Sequence, residues 1–434
     1  MKLLCLLLAA SSILTFAADA LPSPASDGLK FTLAEAEAFA IKNHPQILSA
    51  QLSAEAVRQE IRVARSGFFP QIYAESDSVG APEGTRLAAL DNLNNPTVFS
   101  RQSDGVMASQ LIFDFGRTFD QTQEARFQAS AAADRASAAR AAVVLDVDRA
   151  YFDVRRSLAV LDVSRDTVKV RQFSSDQIGV LVKNQLKSRL DASFARVDLE
   201  QAQLLLIQAQ NDLQAAEARL STAMGFSGIM HFSLAPEPLD LSDPGDPDQL
   251  LMEALNQRPE LAALRDDERA AKSRASAERA AQYPKVSAMG YAGVSPVYDD
   301  TDIKHNYYAG GINVEVPLAT GGRLDAQARE AKFADQAAGQ NVVDMQDMLA
   351  RDVRVVLLGI DTARQKMDVT KDMVASSDDA LQLAQERYKT GTSSIVELTQ
   401  AELNDTTAKF QAISSIYDYE IGRSLLKFTV GSDR

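Results

Sequence analysis

The sequence predicts a mainly α-helical protein that also has a β-structured part. Three observations lead to this prediction: two very long segments without proline, short segments in which apolar residues alternate with others, and a tandem repetition of the whole pattern. Together they predict two long antiparallel helical hairpins and four β-strands in one chain of 434 residues.

The first proline-free segment includes every residue from Arg117 to Gly225. Proline breaks helices because it lacks an amide hydrogen and clashes with the preceding turn, so its absence permits very long helices. We predict two antiparallel helices joined near Lys183–Asp191. At about 1.5 Å per residue, the first would be about 100 Å long. Apolar residues step by threes and fours along it, as in helices that pack side by side: Val144, Val147, Tyr151, Val154, Leu158 and Leu161.

The strand prediction is clearest in the second half of the chain. Two segments of about ten residues show the alternation of a strand with one face in lipid and one in water: Val286, Ala288, Gly290, Ala292 and Val294, then Ile312, Val314 and Val316. In the first half, a predicted loop from Gly80 to Gly105 separates the two strands. A tilted strand of this length can cross a bilayer. The alternative is a small soluble β-layer packed on the helices.

Four strands cannot close a barrel within one chain, since a single-chain barrel in a membrane needs at least eight. If the strands span a membrane, several copies of the chain must therefore share one barrel. Three copies would give twelve strands.

The pattern occurs twice. Pro45 and Pro70 recur as Pro259 and Pro284, 214 residues later, whereas Gly116 recurs as Gly322, 206 residues later. The eight-residue difference is a longer loop in the first hairpin. A tandem duplication explains the constant offsets. We predict a first repeat at 21–234 (hairpin about 71–115, helical pair about 117–225), a linker at 235–247, and a second repeat at 248–434 (hairpin about 285–318, helical pair about 323–431).

Residues 1–20 have the features of a secretory signal peptide. Lys2 precedes an apolar run that starts at Leu3–Leu8, and Ala18-Asp19-Ala20 has the form of a cleavage site. The only cysteine, Cys5, lies within this segment, so the mature chain would have no disulfide. The formal net charge of −14 argues against nucleic acid as a partner. No catalytic, cofactor-binding or metal-binding constellation is recognisable, and we predict that the protein is not an enzyme.

Several short motifs in this sequence match those of a known family. Over nearly the whole mature sequence the chain resembles the TolC-like outer-membrane efflux proteins. The resemblance depends on motifs that recur in a fixed order: Asn43-His44-Pro45-Gln46-Ile47 with Gln257-Arg258-Pro259-Glu260-Leu261, Phe68-Phe69-Pro70 with Gln282-Tyr283-Pro284, Phe113-Asp114-Phe115-Gly116-Arg117, Tyr388 to Leu398, and Val430-Gly431.

The resemblance implies a homotrimer with a 12-stranded transmembrane β-barrel in outer-membrane lipid and a coiled-coil α-barrel in the periplasm. It further implies a passive exit duct of a tripartite efflux or secretion system, opened at its periplasmic tip by an adaptor (membrane fusion) protein and an inner-membrane transporter. The alternatives are the outer-membrane component of type I protein secretion and, from another class, a soluble periplasmic coiled-coil scaffold.

In this family the helix turns converge at the narrowest point of the tunnel. The matching gate positions here are Asp191, Tyr388, Ser393 and Glu397. Three-fold symmetry would make Asp191 and Glu397 a ring of six carboxylates, which would favour cations. Alternatively, both acids are helix N-terminal residues that complement the helix dipole, with Ser188 and Ser394 as N-caps.

The turns themselves are the expected docking surface for the adaptor, and the residues concerned are Lys187, Arg189 and Gly391. The first copy has Gln185 where the second has the turn glycine Gly391. Ser393 stands where some relatives have an arginine that pairs with a neighbouring helix. Lys187 and Arg189 could supply that pairing instead.

Overall fold

The computed structural model describes residues 30–82, 84, 100–228, 230–235, 238–294 and 306–432. The signal peptide predicted at residues 1–20 lies outside the described residues. So does most of the loop that the sequence predicts between Gly80 and Gly105.

The first half of the described chain contains β1 (Lys30–Phe31), α1 (Leu33–Asn43), α2 (Pro45–Ser66), β2 (Gln71–Val79), β3 (Arg101–Phe113), α3 (Arg117–Lys183), α4 (Arg189–Ala223) and β4 (Ser233–Leu234). The second half contains α5 (Pro247–Gln257), α6 (Pro259–Ala280), β5 (Lys285–Val294), β6 (Asn306–Glu315), α7 (Arg323–Lys389) and α8 (Ile395–Val430). Two short helices, two strands and a long helical hairpin thus follow one another twice, which confirms the duplicated fold.

The helical hairpins dominate the molecule. Helices α3 and α7 each contain 67 residues, and their return helices α4 and α8 contain 35 and 36. At about 1.5 Å per residue, α3 and α7 are each about 100 Å long. Helix α3 packs against α4, α6, α2 and α8, so it joins the two hairpins. Among the described residues, no helix has both the length and the apolar composition needed to cross a membrane.

The four long strands form one antiparallel sheet in the order β2-β3-β5-β6. The two hairpins join through the central pair, in which Gly105 lies opposite Gly293. Strand β3 begins at Arg101, so the loop predicted to extend to Gly105 ends earlier. Cross-strand pairing explains the difference, because Arg101 to Gly105 pair with Val79 to Glu75 of β2 and backbone pairing outweighs their polar composition. Strands β2 and β6 are the edges of this sheet within the described chain.

Each return helix ends at a glycine that touches the corner between two short helices. Gly225 follows α4 with φ +85°, and Gly431 follows α8 with φ +84°. A Cβ atom on Gly225 would lie 3.1 Å from the Cα of His44, and one on Gly431 would lie 3.0 Å from the carbonyl carbon of Gln257. Glycine is required here both by the backbone conformation and by the close approach of another backbone segment.

Candidate functional site at the paired helix turns

The two helix turns, residues 184–188 and 390–394, lie next to each other and share one small apolar core. This core contains side chains from all four long helices, so the two turns form a single site. Its buried members are Ile178, Ala195, Ala384, Tyr388, Ile395 and Leu398.

Both turns have the same backbone geometry in spite of their different sequences. Gln185 has φ +61° and Gly391 has φ +76°, so both adopt the left-handed conformation that ends a helix. The amide of Gln185 donates to the carbonyl of Val182 (3.0 Å), and the amide of Gly391 donates to that of Tyr388 (3.2 Å). Gln185 therefore adopts the conformation of the glycine that it replaces, with the strain that a side chain brings.

We expect Gln185→Gly to raise the free energy of unfolding of the first hairpin by about 0.5–1 kcal/mol. The left-handed conformation costs an L-residue about 1–2 kcal/mol, and the greater freedom of glycine in the unfolded chain offsets part of the gain. Urea unfolding in detergent, followed by far-ultraviolet circular dichroism, measures the change. The reverse substitution, Gly391→Gln, is the matched control and should lower the free energy of unfolding by a similar amount. A loss of stability in Gln185→Gly would contradict the inference that Gln185 is strained.

The two predicted gate acids cap their own helices. The Ser188 hydroxyl accepts a hydrogen bond from the Asp191 amide (3.2 Å), and the Asp191 carboxylate accepts one from the Ser188 amide (3.1 Å). The Ser394 hydroxyl likewise accepts from the Glu397 amide (3.3 Å). The capping alternative is confirmed for both acids, and their role in a charged ring stays a prediction.

Two charged contacts fix the site. The Lys187 ammonium lies 4.0 Å from the centre of the Tyr388 ring, a cation–π contact between the first hairpin and the second. Nη1 of Arg387 lies 3.2 Å from Oε1 of Glu397, across the second turn. The sequence predictions did not include Arg387. The sequence contained one indication of this ion pair. Arg387 is a basic residue in the last turn of α7, and Glu397 is an acidic residue in the first turn of α8, just across the connecting turn.

Tyr388 is the most enclosed of the predicted gate residues, with 6% of its surface exposed. Burial raises the pKa of its phenol, and the negative charge of Asp191 raises it further. The phenol oxygen is buried without a hydrogen-bond partner among the described residues.

The remaining predicted residues lie at the surface of the turns. The Ser393 hydroxyl donates to the carbonyl of Ser394 (3.3 Å). Lys187 contacts the Tyr388 ring of the other hairpin, whereas Arg189 is exposed and has no ion pair among the described residues. That either base takes the place of the relatives' arginine stays a prediction. Within the same part of the chain, no group of three or more His, Cys, Asp or Glu side chains is arranged to hold a metal ion.

Comparison with known proteins identifies the family. A family model described as outer membrane efflux protein matches residues 39–226 and 250–430, once in each repeat. The chain is 26% identical to the outer membrane protein OprJ of Pseudomonas aeruginosa over 375 residues, covering 84% of this chain and 76% of OprJ. It is 23% identical to the outer membrane protein TolC of Vibrio cholerae over 418 residues, covering 92% of this chain and 90% of TolC.

The fold agrees with this result. The crystal structure of the outer membrane channel CmeC of Campylobacter jejuni superposes with a TM-score of 0.81 at 17% identity, covering 92% of this chain and 86% of CmeC. An outer-membrane location rules out the alternative of a soluble periplasmic scaffold. The chain belongs to the outer membrane efflux protein family, as a TolC-like protein of the bacterial outer membrane with a periplasmic portion.

Proposed function

We propose that the protein is a homotrimeric channel, the passive exit duct of a tripartite efflux system. Its periplasmic tip would be the pair of helix turns, opened by an adaptor protein and an inner-membrane transporter. The observation that carries the proposal is the four-stranded sheet, whose two edges are unpaired within the described part of the chain, in a family of outer-membrane efflux proteins.

The open edges favour assembly with further copies. Unpaired backbone amides and carbonyls are not tolerated in lipid, so β2 and β6 need partners there. If β6 of one copy pairs with β2 of the next, three copies close a barrel of twelve strands. Apolar side chains on these strands are exposed in the single chain, as expected for a surface in lipid: Ile72 (67% exposed), Ile312 (72%) and Val314 (58%).

The helices also favour a trimer. Helix α4 exposes several large apolar side chains along its length, including Leu204 (66% exposed) and Ile207 (61%). Large exposed apolar patches mark interaction surfaces in most proteins. We infer that a neighbouring copy covers this face and completes the α-barrel, and that the first and second repeats (21–234 and 248–434) follow a cleaved signal peptide and flank a linker.

The turns would then form the gate. In a trimer Asp191 and Glu397 together would place six carboxylates around the axis. The ion pair of Glu397 with Arg387 moderates the negative charge of such a ring. The exposed Arg189 would remain for the adaptor, and the half-buried Lys187 would become available to it on leaving the Tyr388 ring.

Single-channel conductance in a planar bilayer tests the proposal. We expect a small, cation-selective conductance that increases and loses its selectivity in Asp191→Ala/Glu397→Ala, because the carboxylates are removed and Arg387 is left unpaired. The matched control, Asp162→Ala/Asp372→Ala, removes the same charge from exposed sites on α3 and α7 and should conduct like the native protein.

Two outcomes would contradict this proposal. Native protein that purifies without detergent and never conducts would argue against a channel. A conductance that the Asp191→Ala/Glu397→Ala substitutions leave unchanged would keep the channel and place its constriction away from the turns.

A further inference from the structure

A cluster of buried charges joins the two hairpins above the turns. Arg171 of α3 is 8% exposed and forms an ion pair with Glu402 of α8, which is 4% exposed. Arg171 precedes the end of α3 by twelve residues, which places the pair about 18 Å above the turn. A charged pair in this position is separate from the gate residues and from the apolar core beneath them.

The ion pair extends into a network that includes all four long helices. Burial lowers the pKa of Arg171, and the negative charges of Asp198 on α4 and Asp405 on α8 lie close enough to oppose this effect. Nζ of Lys409 lies 2.8 Å from a carboxylate oxygen of Asp405 and 2.9 Å from one of Asp378 on α7. Separation of the hairpins at this level would break the Arg171–Glu402 pair, whereas the contacts of Lys409 lie within the second hairpin.

Carboxylates outnumber cations in the cluster. Four acids (Asp198, Asp378, Glu402 and Asp405) face Arg171 and Lys409, an excess of two negative charges when all are ionised. One carboxylate oxygen of each of Asp198, Glu402 and Asp405 is buried without a hydrogen-bond partner among the described residues. Burying an unpaired charge is costly, so uptake of a proton would relieve the excess.

A cavity beside the cluster is lined by one further charged residue, Asp166. The cavity of about 300 Å³ borders the cluster and is lined on α3 by Thr167 and Asp166, on α7 by Gln385 and on α8 by Thr406. Asp166 is exposed and pairs with Lys169 on its own helix (2.9 Å), so it contributes little net charge. The cavity gives water access to the cluster, and water can deliver the proton.

The pKa shifts agree with this geometry. Burial raises the pKa of Asp198, against the opposing effect of Arg171, and burial raises the pKa of Asp405, against that of Lys409. A raised pKa means that the packed hairpins bind protons more readily than separated ones, so their contact strengthens as the pH falls through the raised values. A hydrogen bond from Lys409 lowers the pKa of Asp378. The ion pair between these two residues is therefore lost only at still lower pH.

We propose that the cluster around Arg171 and Glu402 is a proton-sensitive clasp, which holds the two hairpins together above the gate and tightens as the pH falls. The clasp would make opening of the turns depend on the pH of the periplasm. The effect on conductance rests on the proposed channel function, whereas the effect on the hairpin contact does not.

Hydrogen exchange of the full-length protein in detergent tests the clasp directly. We expect the protection factors of amides 398–409, corrected for intrinsic exchange, to rise as the pH falls from about 8 to about 4, the ordinary pKa of an aspartate, by up to about tenfold per pH unit for each proton taken up. Asp198→Asn/Asp405→Asn mimics the protonated state and should abolish this pH dependence. Asp405→Glu restores a titratable group and should retain it, and Asp162→Asn/Asp372→Asn is the matched control at exposed sites.

Conductance measured over the same pH range separates the two proposals. The clasp predicts that the native conductance falls with acidification and that the double Asn variant loses this response. Native protection factors that stay constant or fall in acid would overturn the clasp, as would a double Asn variant that keeps the native pH profile. A pH-dependent protection in a protein that never conducts would support the clasp and contradict the channel function.

Discussion

Replacing Glu402 by alanine is expected to lower the free energy of unfolding by about 3–5 kcal/mol. The substitution leaves the guanidinium of Arg171 buried without its ion-pair partner. Asp198 and Asp405 form no ion pair with Arg171 but lie near enough to favour its charged form, so the loss should fall at the lower end of this range. Urea unfolding in detergent, followed by far-ultraviolet circular dichroism, measures the loss.

Two controls identify burial as the cause. Arg171→Met/Glu402→Met replaces both charges with apolar side chains and should recover most of the stability, because buried ion pairs contribute little compared with good apolar packing. Asp162→Ala breaks the exposed pair with Arg165 (3.4 Å) and should cost less than about 1 kcal/mol. A Glu402→Ala loss no larger than that of Asp162→Ala would contradict a buried ion pair.

The second large effect is expected at the glycines that end the return helices. Gly431→Ala should destabilise the protein by about 2 kcal/mol or more, because the left-handed backbone is strained with any side chain. The new methyl group would also lie 3.0–3.1 Å from backbone atoms of Gln257 and Arg258. These atoms lie at the corner between two helices and cannot move as a flexible side chain would. Gly225→Ala should behave alike, since its Cβ would meet the backbone of His44.

Two other glycines separate strain from close contact. Gly391 has φ +76°, and a methyl group there would meet no other part of the described chain within 4 Å, so Gly391→Ala shows the cost of the conformation alone. Gly359 lies inside α7 with open space around it, and Gly359→Ala should stabilise by about 0.5–1 kcal/mol. Thermal unfolding of the four variants in one detergent ranks them. A Gly431→Ala effect equal to that of Gly391→Ala would exclude a contribution from the contact.

Local signals predicted the elements of the fold and the caps of the site. The lack of proline after Arg117 predicted a long helix that the structure extends to Lys183. Ser188 and Ser394 each precede an acid by three residues, a spacing that is typical of helix starts, and both are N-caps. Such features depend on neighbours along the chain, and the sequence displays these directly.

The contacts between hairpins could not be read in the same way. Lys187 reaches the ring of Tyr388 only because two turns about 200 residues apart lie side by side. The register between the hairpins is set by packing over the whole length of the helices, which no local pattern specifies. The early start of β3 has a similar cause, because its partner strand β2 decides where pairing begins.

A signal for the clasp was present in the sequence. Arg171 lies seven residues after Ser164 and seven before Ile178, and both of these are buried. On α8, Glu402 continues the steps of three and four that begin with Ile395 and Leu398. A charged residue at a repeating interior position is a candidate for a buried ion pair. Extending the apolar seam towards the turns would have identified both residues.

The equal length of α3 and α7 restricts the insertions and deletions that either helix can accept. Each residue turns a helix by about 100° and advances it by about 1.5 Å. Deleting one residue of α3 before Arg171 would rotate every later side chain off its facing partner and carry the guanidinium away from Glu402. Single-residue insertions and deletions in either long helix are therefore expected to be more disruptive than insertions of a whole seven-residue repeat, which restore the facing positions. The segment between Pro70 and Arg117, which contains the first β-hairpin, is eight residues longer than its counterpart between Pro284 and Arg323 and shows where the same chain tolerates extra length.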